Sequence, residues 1–223
     1  MQILKQVSQQ VHVIRAAMVA ACQEMNRTGL NQGTSGNLSV RVDGSMLITP
    51  TATAYDQLAP DMMATVRIGD EEGRFAGPRA PSSEWRFHRD IYRARADVGA
   101  IVHAHAPYAT ALSMLRKNLP AAHYMIAAFN THDIMCTDYA PYGTAELSAL
   151  AVAGLGDAHG VLLGSHGMIV VGETLERAMW RAHELETLIR QYMLACQIGE
   201  PVILPKQEID ALIPRFAAYG VTT

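Results

Sequence analysis

Two histidines stand one residue apart in the apolar run IVHAHAPYAT, residues 101–110. Such a run is typical of a buried strand. Because side chains alternate faces along a strand, His103 and His105 should point to the same side. Each buried imidazole needs a polar partner, and one metal ion would satisfy both rings. The pair therefore indicates either a metal site or two core histidines with separate hydrogen-bond partners.

A third histidine and a glutamate extend this set. His166 lies in LLGSHGMIVV, on a predicted turn between two apolar strands, and Glu84 lies in PSSEWRF at a predicted helix start. Three histidines around one ion leave a fourth position open, as in catalytic rather than structural zinc sites. Taken singly, a turn histidine can be structural, and a glutamate in the first helical turn can simply favour the helix dipole.

Small polar residues form two clusters that could hold an anion. Ser82 and Ser83 precede Glu84 at the helix start, where free backbone N–H groups favour phosphate. The segment GTSGNLS, residues 33–39, brings glycine, hydroxyl and amide groups together, and small residues let the backbone approach an anion closely. The alternative for this second cluster is an ordinary polar loop before a hairpin.

Helices and hairpins alternate along the chain and must position these groups. Apolar residues at every third or fourth position, with the capping signals, predict helices over 2–28, 82–98, 145–155 and 174–196. Alternating segments predict hairpins over 38–50, 64–77 and 160–173, and a strand over 100–107. Ser82 or Ser83 should cap the second helix and Thr144 the third. This order predicts an α/β sandwich with a largely antiparallel sheet.

Composition limits the class of protein. The chain has 223 residues, of which 49% are hydrophobic, and a net charge of -3, so it suits one domain and offers no basic surface for nucleic acid. Its three cysteines are far apart and predict no disulfide framework. We find no signal-peptide core, membrane span, GxGxxG pattern or P-loop in the sequence. We therefore expect a cytoplasmic globular protein.

Five segments, in order, resemble signature segments of the class II aldolase/adducin family: GTSGNLSVR, LITPTATAYDQL, PSSEWRFHRDIYRARADVGAIVHAHAPYATALS, AAHYMIAAF and LLGSHGMIVVGETLERAMWRAHELE. The likeness runs from about residue 10 to Tyr219. It implies a three-layer α/β/α sandwich around a mainly antiparallel sheet of about nine strands. It also implies a single domain over 1–223, with a C-terminal tail, about 205–223, that closes over the active site. Family members usually assemble as C4 homotetramers with active sites between subunits.

The resemblance also implies roles for single residues. His103, His105 and His166 would bind zinc, one ion per subunit, while Glu84 would contact the resting metal and then act as the catalytic base. Tyr124 would donate a proton at the neighbouring subunit's site, and Tyr219 would act from the C-terminal tail. The positions that match the phosphate-binding residues of the family are Gly36, Asn37, Thr51, Ala52, Ser82 and Ser83.

The implied reaction is the reversible cleavage of a ketose 1-phosphate to dihydroxyacetone phosphate and an aldehyde. The substrate would resemble L-fuculose 1-phosphate or a 5-deoxy or 5-methylthio pentulose 1-phosphate. The same scaffold carries ribulose-5-phosphate 4-epimerases, methylthioribulose-1-phosphate dehydratases, sugar-acid phosphate decarboxylases and non-catalytic adducin heads. The tyrosine in HYMIAA favours an aldolase over an epimerase, and the complete ligand set argues against the adducin module.

Four residues depart from the family's pattern. Ala52 stands where the family has glycine, Phe129 and Asn130 stand where small residues are usual, and Tyr142 replaces a phenylalanine. We expect Phe129, Asn130 and Tyr142 near the aldehyde pocket, where apolar surface would favour a methyl or thiomethyl tail over a hydroxymethyl group. The alternative for Phe129 is packing at a subunit interface.

Overall fold

A computed structural model describes the chain from residue 2 to residue 217. Its helices are α1 (Gln2–Arg27), α2 (Trp85–Ala94), α3 (Pro107–Met114), α4 (Ala145–Leu155), α5 (Leu175–Ile198) and α6 (Lys206–Ala217). Its strands are β1 (Asn37–Val42), β2 (Ser45–Ile48), β3 (Ala64–Arg67), β4 (Phe75–Ala76), β5 (Ala100–Ala104), β6 (Leu119–Pro120), β7 (Asp133–Ile134), β8 (Gly160–Leu163) and β9 (Gly167–Gly172). Two 3-10 helices span Pro60–Met62 and Tyr124–Phe129.

Seven strands form one sheet in the order β4-β3-β2-β1-β5-β9-β8, and β6 pairs with β7 in a separate two-stranded sheet. The pairs between these strands are antiparallel. The expected sheet of about nine strands is therefore a seven-stranded sheet and a separate pair. All five residues of β5 are buried, because this strand lies between β1 and β9 near the centre of the sheet.

Helices cover both faces of the large sheet. Alternate residues of β5 point to opposite sides, so Val102 packs with the cluster beneath α1, α3 and α5, while Ile101 packs with the cluster beneath α2 and α4. His103 faces α2, where its ring contacts Phe87 edge-on at 5.4 Å between centroids. The three-layer α/β/α sandwich is thereby confirmed.

The second helix is shorter than the predicted 82–98. It spans Trp85–Ala94, and its N-cap is Glu84 rather than Ser82 or Ser83. Ser82 instead forms the turn before the helix, because its hydroxyl accepts a hydrogen bond from the Glu84 N–H at 3.3 Å. The helix ends when Arg95 becomes extended and its guanidinium binds the Gly156 carbonyl at 2.7 Å.

The strand predicted over 100–107 ends at Ala104, so His105 is the first residue beyond it. Pro107 then begins α3, a helix that the sequence pattern did not predict. The cap of α4 is confirmed, since the Thr144 hydroxyl accepts from the Leu147 N–H at 3.2 Å. Among residues 2–217, none of the helices has the length and apolar character needed to cross a membrane.

Candidate active site

Three parts of the fold bring the predicted metal ligands together. His103 lies on β5 and His105 directly after it, His166 lies in the turn between β8 and β9, and Glu84 caps α2. Ligand atoms of the four side chains all lie within 4.8 Å of one another. Nε2 of His103 is 3.1 Å from Nε2 of His105 and 3.2 Å from Oε2 of Glu84. Nε2 of His166 is 3.2 Å from Oε1 of the same carboxylate.

The hydrogen bonds around this group suit a bound cation. The Met168 carbonyl accepts from Nδ1 of His103 at 2.9 Å, which leaves the electron pair of Nε2 for a metal ion. That electron pair faces the Glu84 carboxylate, and Oε1 of Glu84 has no hydrogen-bond partner among the described residues. Buried acceptors that face one another are stabilised by a metal ion, and a carbonyl behind a ligating imidazole is typical of such sites. The residues therefore fit a divalent metal.

Burial keeps two of these imidazoles neutral. It lowers the pKa of His105 to about 4 and that of His166 to about 3, and the nearby His103 adds to both effects. Burial acts to raise the pKa of Glu84, but His103, His166 and the Asn37 amide outweigh it and hold that pKa well below its usual range. At neutral pH His105 and His166 are thus neutral and the Glu84 carboxylate is ionised, the forms that bind metals.

Glu84, His105 and His166 line one wall of a cavity of about 350 Å³. All six positions predicted to bind phosphate also line it: Gly36, Asn37, Thr51, Ala52, Ser82 and Ser83. Within the described part of the chain, the lining contains hydroxyl, amide and backbone groups but no lysine or arginine. The cavity can therefore offer an anion uncharged donors beside the metal group.

The loop before β1 is fixed by two residues. Gly36 has φ +67°, and a Cβ atom there would come within 2.7 Å of the His103 carbonyl oxygen, so only glycine fits. Asn31 donates through Nδ2 to the Ser35 carbonyl and accepts through Oδ1 from the His105 N–H at 3.3 Å. Asn31 thus ties the anion loop to the metal group, a role that the sequence did not predict.

Behind Glu84 lies a buried hydrogen-bonded chain that the sequence also did not predict. Nδ2 of Asn37 donates to Oε2 of Glu84 at 2.9 Å, and Oδ1 of Asn37 lies 2.5 Å from Nε2 of His88. Nδ1 of His88 lies 2.7 Å from the Ser39 hydroxyl, which lies 3.0 Å from the Tyr92 hydroxyl. One signal was available: Glu84, His88 and Tyr92 follow one another at intervals of four, the spacing of one helix face.

Tyr124 does not line this cavity. It begins the 3-10 helix Tyr124–Phe129, its side chain is 49% exposed, and its ring stacks near Phe216 of α6 at 6.2 Å between centroids. α6 packs against the same 3-10 helix. Tyr219, predicted to act from the tail, lies outside the described residues.

The two aromatic departures lie in different places. Phe129 is fully buried in the core of its own chain, with its ring over Gly160 and beside Leu185, so the expectation that it lines the aldehyde pocket or a subunit interface is wrong. Asn130 has φ +55°, a conformation that asparagine and glycine tolerate. Tyr142 lines the cavity together with Tyr139, and their side chains are 72% and 56% exposed.

Comparisons with known proteins agree with this geometry. The sequence profile of the family described as "Class II Aldolase and Adducin N-terminal domain" matches residues 16–193. The chain is 45% identical to a 5-methylthioribulose-1-phosphate/5-deoxyribulose-1-phosphate aldolase of Rhodospirillum rubrum, over 93% of this chain and 92% of that protein. It is 42% identical to an L-fuculose phosphate aldolase of Escherichia coli, over 92% of this chain and 94% of that protein. A solved structure of an L-fuculose 1-phosphate aldolase superimposes with a TM-score of 0.87 and 36% identity, covering 91% of this chain and 95% of the other.

Proposed function

The chain belongs to the class II aldolase and adducin family, and we propose that it is a metal-dependent aldehyde-lyase that cleaves a ketose 1-phosphate reversibly to dihydroxyacetone phosphate and an aldehyde. The observation that carries the proposal is the close grouping of Glu84, His103, His105 and His166 at a cavity whose uncharged donors suit a phosphate. The relatives named for fuculose phosphate, methylthioribulose 1-phosphate and deoxyribulose 1-phosphate indicate the class of substrate.

The metal that we expect is zinc, at about one ion per chain, because three imidazoles and a carboxylate form a donor set that suits zinc. When bound, the ion supplies a Lewis acid that stabilises negative charge on the oxygens of the substrate. His103, His105 and His166 would hold it, and Glu84 would contact it in the resting protein.

Glu84 would move the proton on carbon. When a ketose 1-phosphate is cleaved between C3 and C4, the C4 hydroxyl loses a proton and C3 gains one. In the synthetic direction Glu84 takes that C3 proton from dihydroxyacetone phosphate, a task that suits a carboxylate held ionised at neutral pH. Tyr124 of a neighbouring subunit would donate a proton to the aldehyde oxygen as the carbon–carbon bond forms.

The phosphate would be held by uncharged donors. Thr51 and Ser83 are exposed to the cavity, whereas the Ser82 side chain is buried and its hydroxyl already accepts from the Glu84 N–H. Asn37 has one Nδ2 hydrogen left, because the other donates to Glu84. Holding the phosphate in this way fixes the reacting carbons beside Glu84.

A methyl or thiomethyl tail on the aldehyde should be preferred over a hydroxymethyl group. The aromatic surface available for that tail is provided by Tyr139 and Tyr142. An apolar tail gains free energy by leaving water, whereas an unpaired hydroxyl loses its hydrogen bonds there.

The position of Tyr124 supports an assembly of several copies. Because this residue is outside the cavity of its own chain, we propose that it acts at the site of a second copy in the C4 homotetramer of the family. The tail over 205–223 would close over the same neighbouring site, since α6 packs against the 3-10 helix that carries Tyr124.

The test is a panel of ketose 1-phosphates with coupled detection of dihydroxyacetone phosphate. Zinc-loaded wild-type protein should release it from at least one of them. Glu84→Gln should retain the metal and lose a factor of about 10² or more in turnover, the scale of a positioned base. Glu173→Gln, which changes a carboxylate outside the cavity, is the matched control and should keep wild-type turnover.

Two results would count against the proposal. If the zinc-loaded protein released dihydroxyacetone phosphate from none of these substrates, the aldolase assignment would be wrong. If Glu84→Gln turned over like the wild type, Glu84 would not be the base.

A further inference from the structure

The hydrogen-bonded series of side chains that runs from Glu84 through Asn37, His88 and Ser39 to Tyr92 is almost wholly inaccessible to water. Ser39 and His88 are 0% exposed, Tyr92 is 1% exposed and Asn37 is 3% exposed. Buried polar groups of this kind must pair with one another, so each hydrogen in the chain has a defined place. The directions of its hydrogen bonds can therefore be worked out one group at a time.

The carboxylate sets the first direction. Glu84 Oε2 can only accept, so the atom of Asn37 that faces it is the NH₂ group, and Oδ1 faces His88. Because Oδ1 can also only accept, Nε2 of His88 must carry a hydrogen. Burial lowers the pKa of His88 to about 3, and the nearby His103 adds to the effect, so the ring is neutral at pH 7 and its Nδ1 is an acceptor.

The remaining directions follow. Ser39 must donate its single hydroxyl hydrogen to Nδ1 of His88, and it then accepts from the Tyr92 hydroxyl. Every donor in this hydrogen-bonded series thus points toward Glu84. If the His88 hydrogen moved to Nδ1, Nε2 would face Oδ1 of Asn37 as a second acceptor, and the amide would be driven to turn its oxygen toward the carboxylate.

We infer that His88, with Ser39 and Tyr92 behind it, is a positioning residue that holds the Asn37 amide nitrogen on Oε2 of Glu84 and so reserves Oε1 as the oxygen that exchanges the proton with substrate. The inference rests on the proposed function for the reaction, but the hydrogen-bond directions do not. Oε1 is buried 3.2 Å from Nε2 of His166 but has no hydrogen bond within the described residues, so no protein donor competes with its proton transfer. His88 touches neither the cavity nor the metal group, so it acts only through Asn37.

Two variants of matched size separate positioning from simple packing. His88→Gln keeps a side-chain N–H for Oδ1 of Asn37, whereas His88→Met fills similar space and has no donor. In zinc-loaded protein, His88→Met should lower kcat by about 10-fold or more, the scale for partners of metal-site residues, with KM changed by less than about 3-fold. His88→Gln should stay within about 3-fold of wild-type kcat. Bound zinc and the melting temperature are measured for both variants.

A second readout needs no turnover. Solid-state ¹⁵N NMR of histidine-labelled protein gives the protonation of each ring nitrogen, and the His88 signals are those missing from His88→Gln. The wild type should show a neutral His88 with the hydrogen on Nε2 at pH 7, and Ser39→Ala should shift the Nδ1 signal. A wild type without aldolase activity would refute the proposed function and leave this NMR test intact.

The results that overturn the inference are specific. They are an imidazolium or an Nδ1–H ring at His88 in the wild type, or wild-type kcat in His88→Met. An equal loss of kcat in the two variants that follows their melting temperatures would also overturn it, because it would reduce His88 to a packing role.

Discussion

At the scale of single residues, the chemistry of the site depends on the bonds made on the side away from the cavity. Met168 holds Nδ1 of His103, and Asn37 holds Oε2 of Glu84, so the remaining nitrogen and oxygen face the metal position. Residue types predicted the three histidines as candidate ligands, since buried imidazoles need a polar partner, and the family resemblance added Glu84. They could not predict Asn37 and His88 as partners, because these residues are 51 positions apart and lie on different elements.

We expect Tyr142 to select between substrates whose sugar tail ends in a methyl group and those whose tail ends in a hydroxymethyl group. Tyr142→Ala should lower the ratio of kcat/KM values for methyl-ended over hydroxymethyl-ended ketose 1-phosphates by about 10-fold, within the range of discrimination by apolar contacts. Removing the ring takes away apolar surface at the cavity, where Tyr142 lies. Steady-state kinetics on paired substrates measures the ratio.

The control for that experiment is Phe129→Leu, in the core of the chain. It should lower the free energy of unfolding by about 1 kcal/mol and leave the substrate ratio unchanged. The assignment to Tyr142 is wrong if Tyr142→Ala keeps the wild-type ratio or if Phe129→Leu alters it.

At the scale of elements, a strand with a period of two residues and a helix with a period of about four supply the residues behind Glu84. Asn37 and Ser39 share one face of β1 because strand side chains alternate, and His88 and Tyr92 share one face of α2 because they are four residues apart. Both elements were predicted from these periods. The pairing of β1 beside β5, with Asn37 opposite His103, was not, because periodicity does not fix which strands become neighbours. The short α3 was missed since PYATALSM is apolar without a polar stripe.

The loop after β2 contains a strained residue at the cavity. Ala52 has φ +48°, which costs a residue with a Cβ atom about 1–2 kcal/mol relative to glycine. Ala52→Gly should therefore not destabilise the protein and should raise the free energy of unfolding by up to about 1 kcal/mol. Ala59→Gly is the matched change at an ordinary φ of -119°. It should lower the free energy of unfolding by about 0.5–1 kcal/mol. Urea unfolding of both variants checks this, and equal destabilisation would show that Ala52 is unstrained.

The burial of α2 against β1 should make stability depend on pH through His88. The unfolded ring binds a proton below its ordinary pKa near 6.5, whereas the folded ring stays neutral down to about 3. The unfolded state then holds more protons, so the free energy of unfolding should fall as pH is lowered from 6.5 to 4.5, by up to about 1.4 kcal/mol per pH unit for this one group. In metal-free protein, the free energy of unfolding measured with urea should fall less steeply with decreasing pH in His88→Gln than in the wild type. An identical slope in the variant would contradict the assigned burial effect.

At the scale of the whole molecule, the fold class could be predicted because helices and hairpins alternate in the sequence. The strand order could not, since β5 lies between strands that are distant in the chain. The separation of β6 and β7 from the large sheet could not be predicted either, because their two-residue sequences, LP and DI, are too short to show a hydrophobic periodicity. The periodicities predicted an α/β sandwich, and the family resemblance added that its layers are arranged as α/β/α.

A shared active site makes a prediction about mixed oligomers. Glu84→Gln and Tyr124→Phe should each be nearly inactive alone. Co-expressed in equal amounts, they should recover about a quarter of wild-type activity. A site is intact only when the subunit that supplies Glu84 carries Tyr124→Phe and the neighbour that supplies Tyr124 carries Glu84→Gln. The assay is dihydroxyacetone phosphate release by the purified mixture. Recovery no greater than the average of the two parents would place Tyr124 outside the neighbouring site.

We propose that Glu84 and the three histidines hold one metal ion that is required for aldol cleavage. The most direct test is to titrate zinc into metal-free protein while recording both bound metal and dihydroxyacetone phosphate release. Activity should start near zero, rise with bound zinc and level off at about one ion per chain. His166→Ala should bind zinc more weakly and stay largely inactive. Full activity in the metal-free protein, or zinc binding that leaves activity unchanged, would show that aldol cleavage does not require the metal.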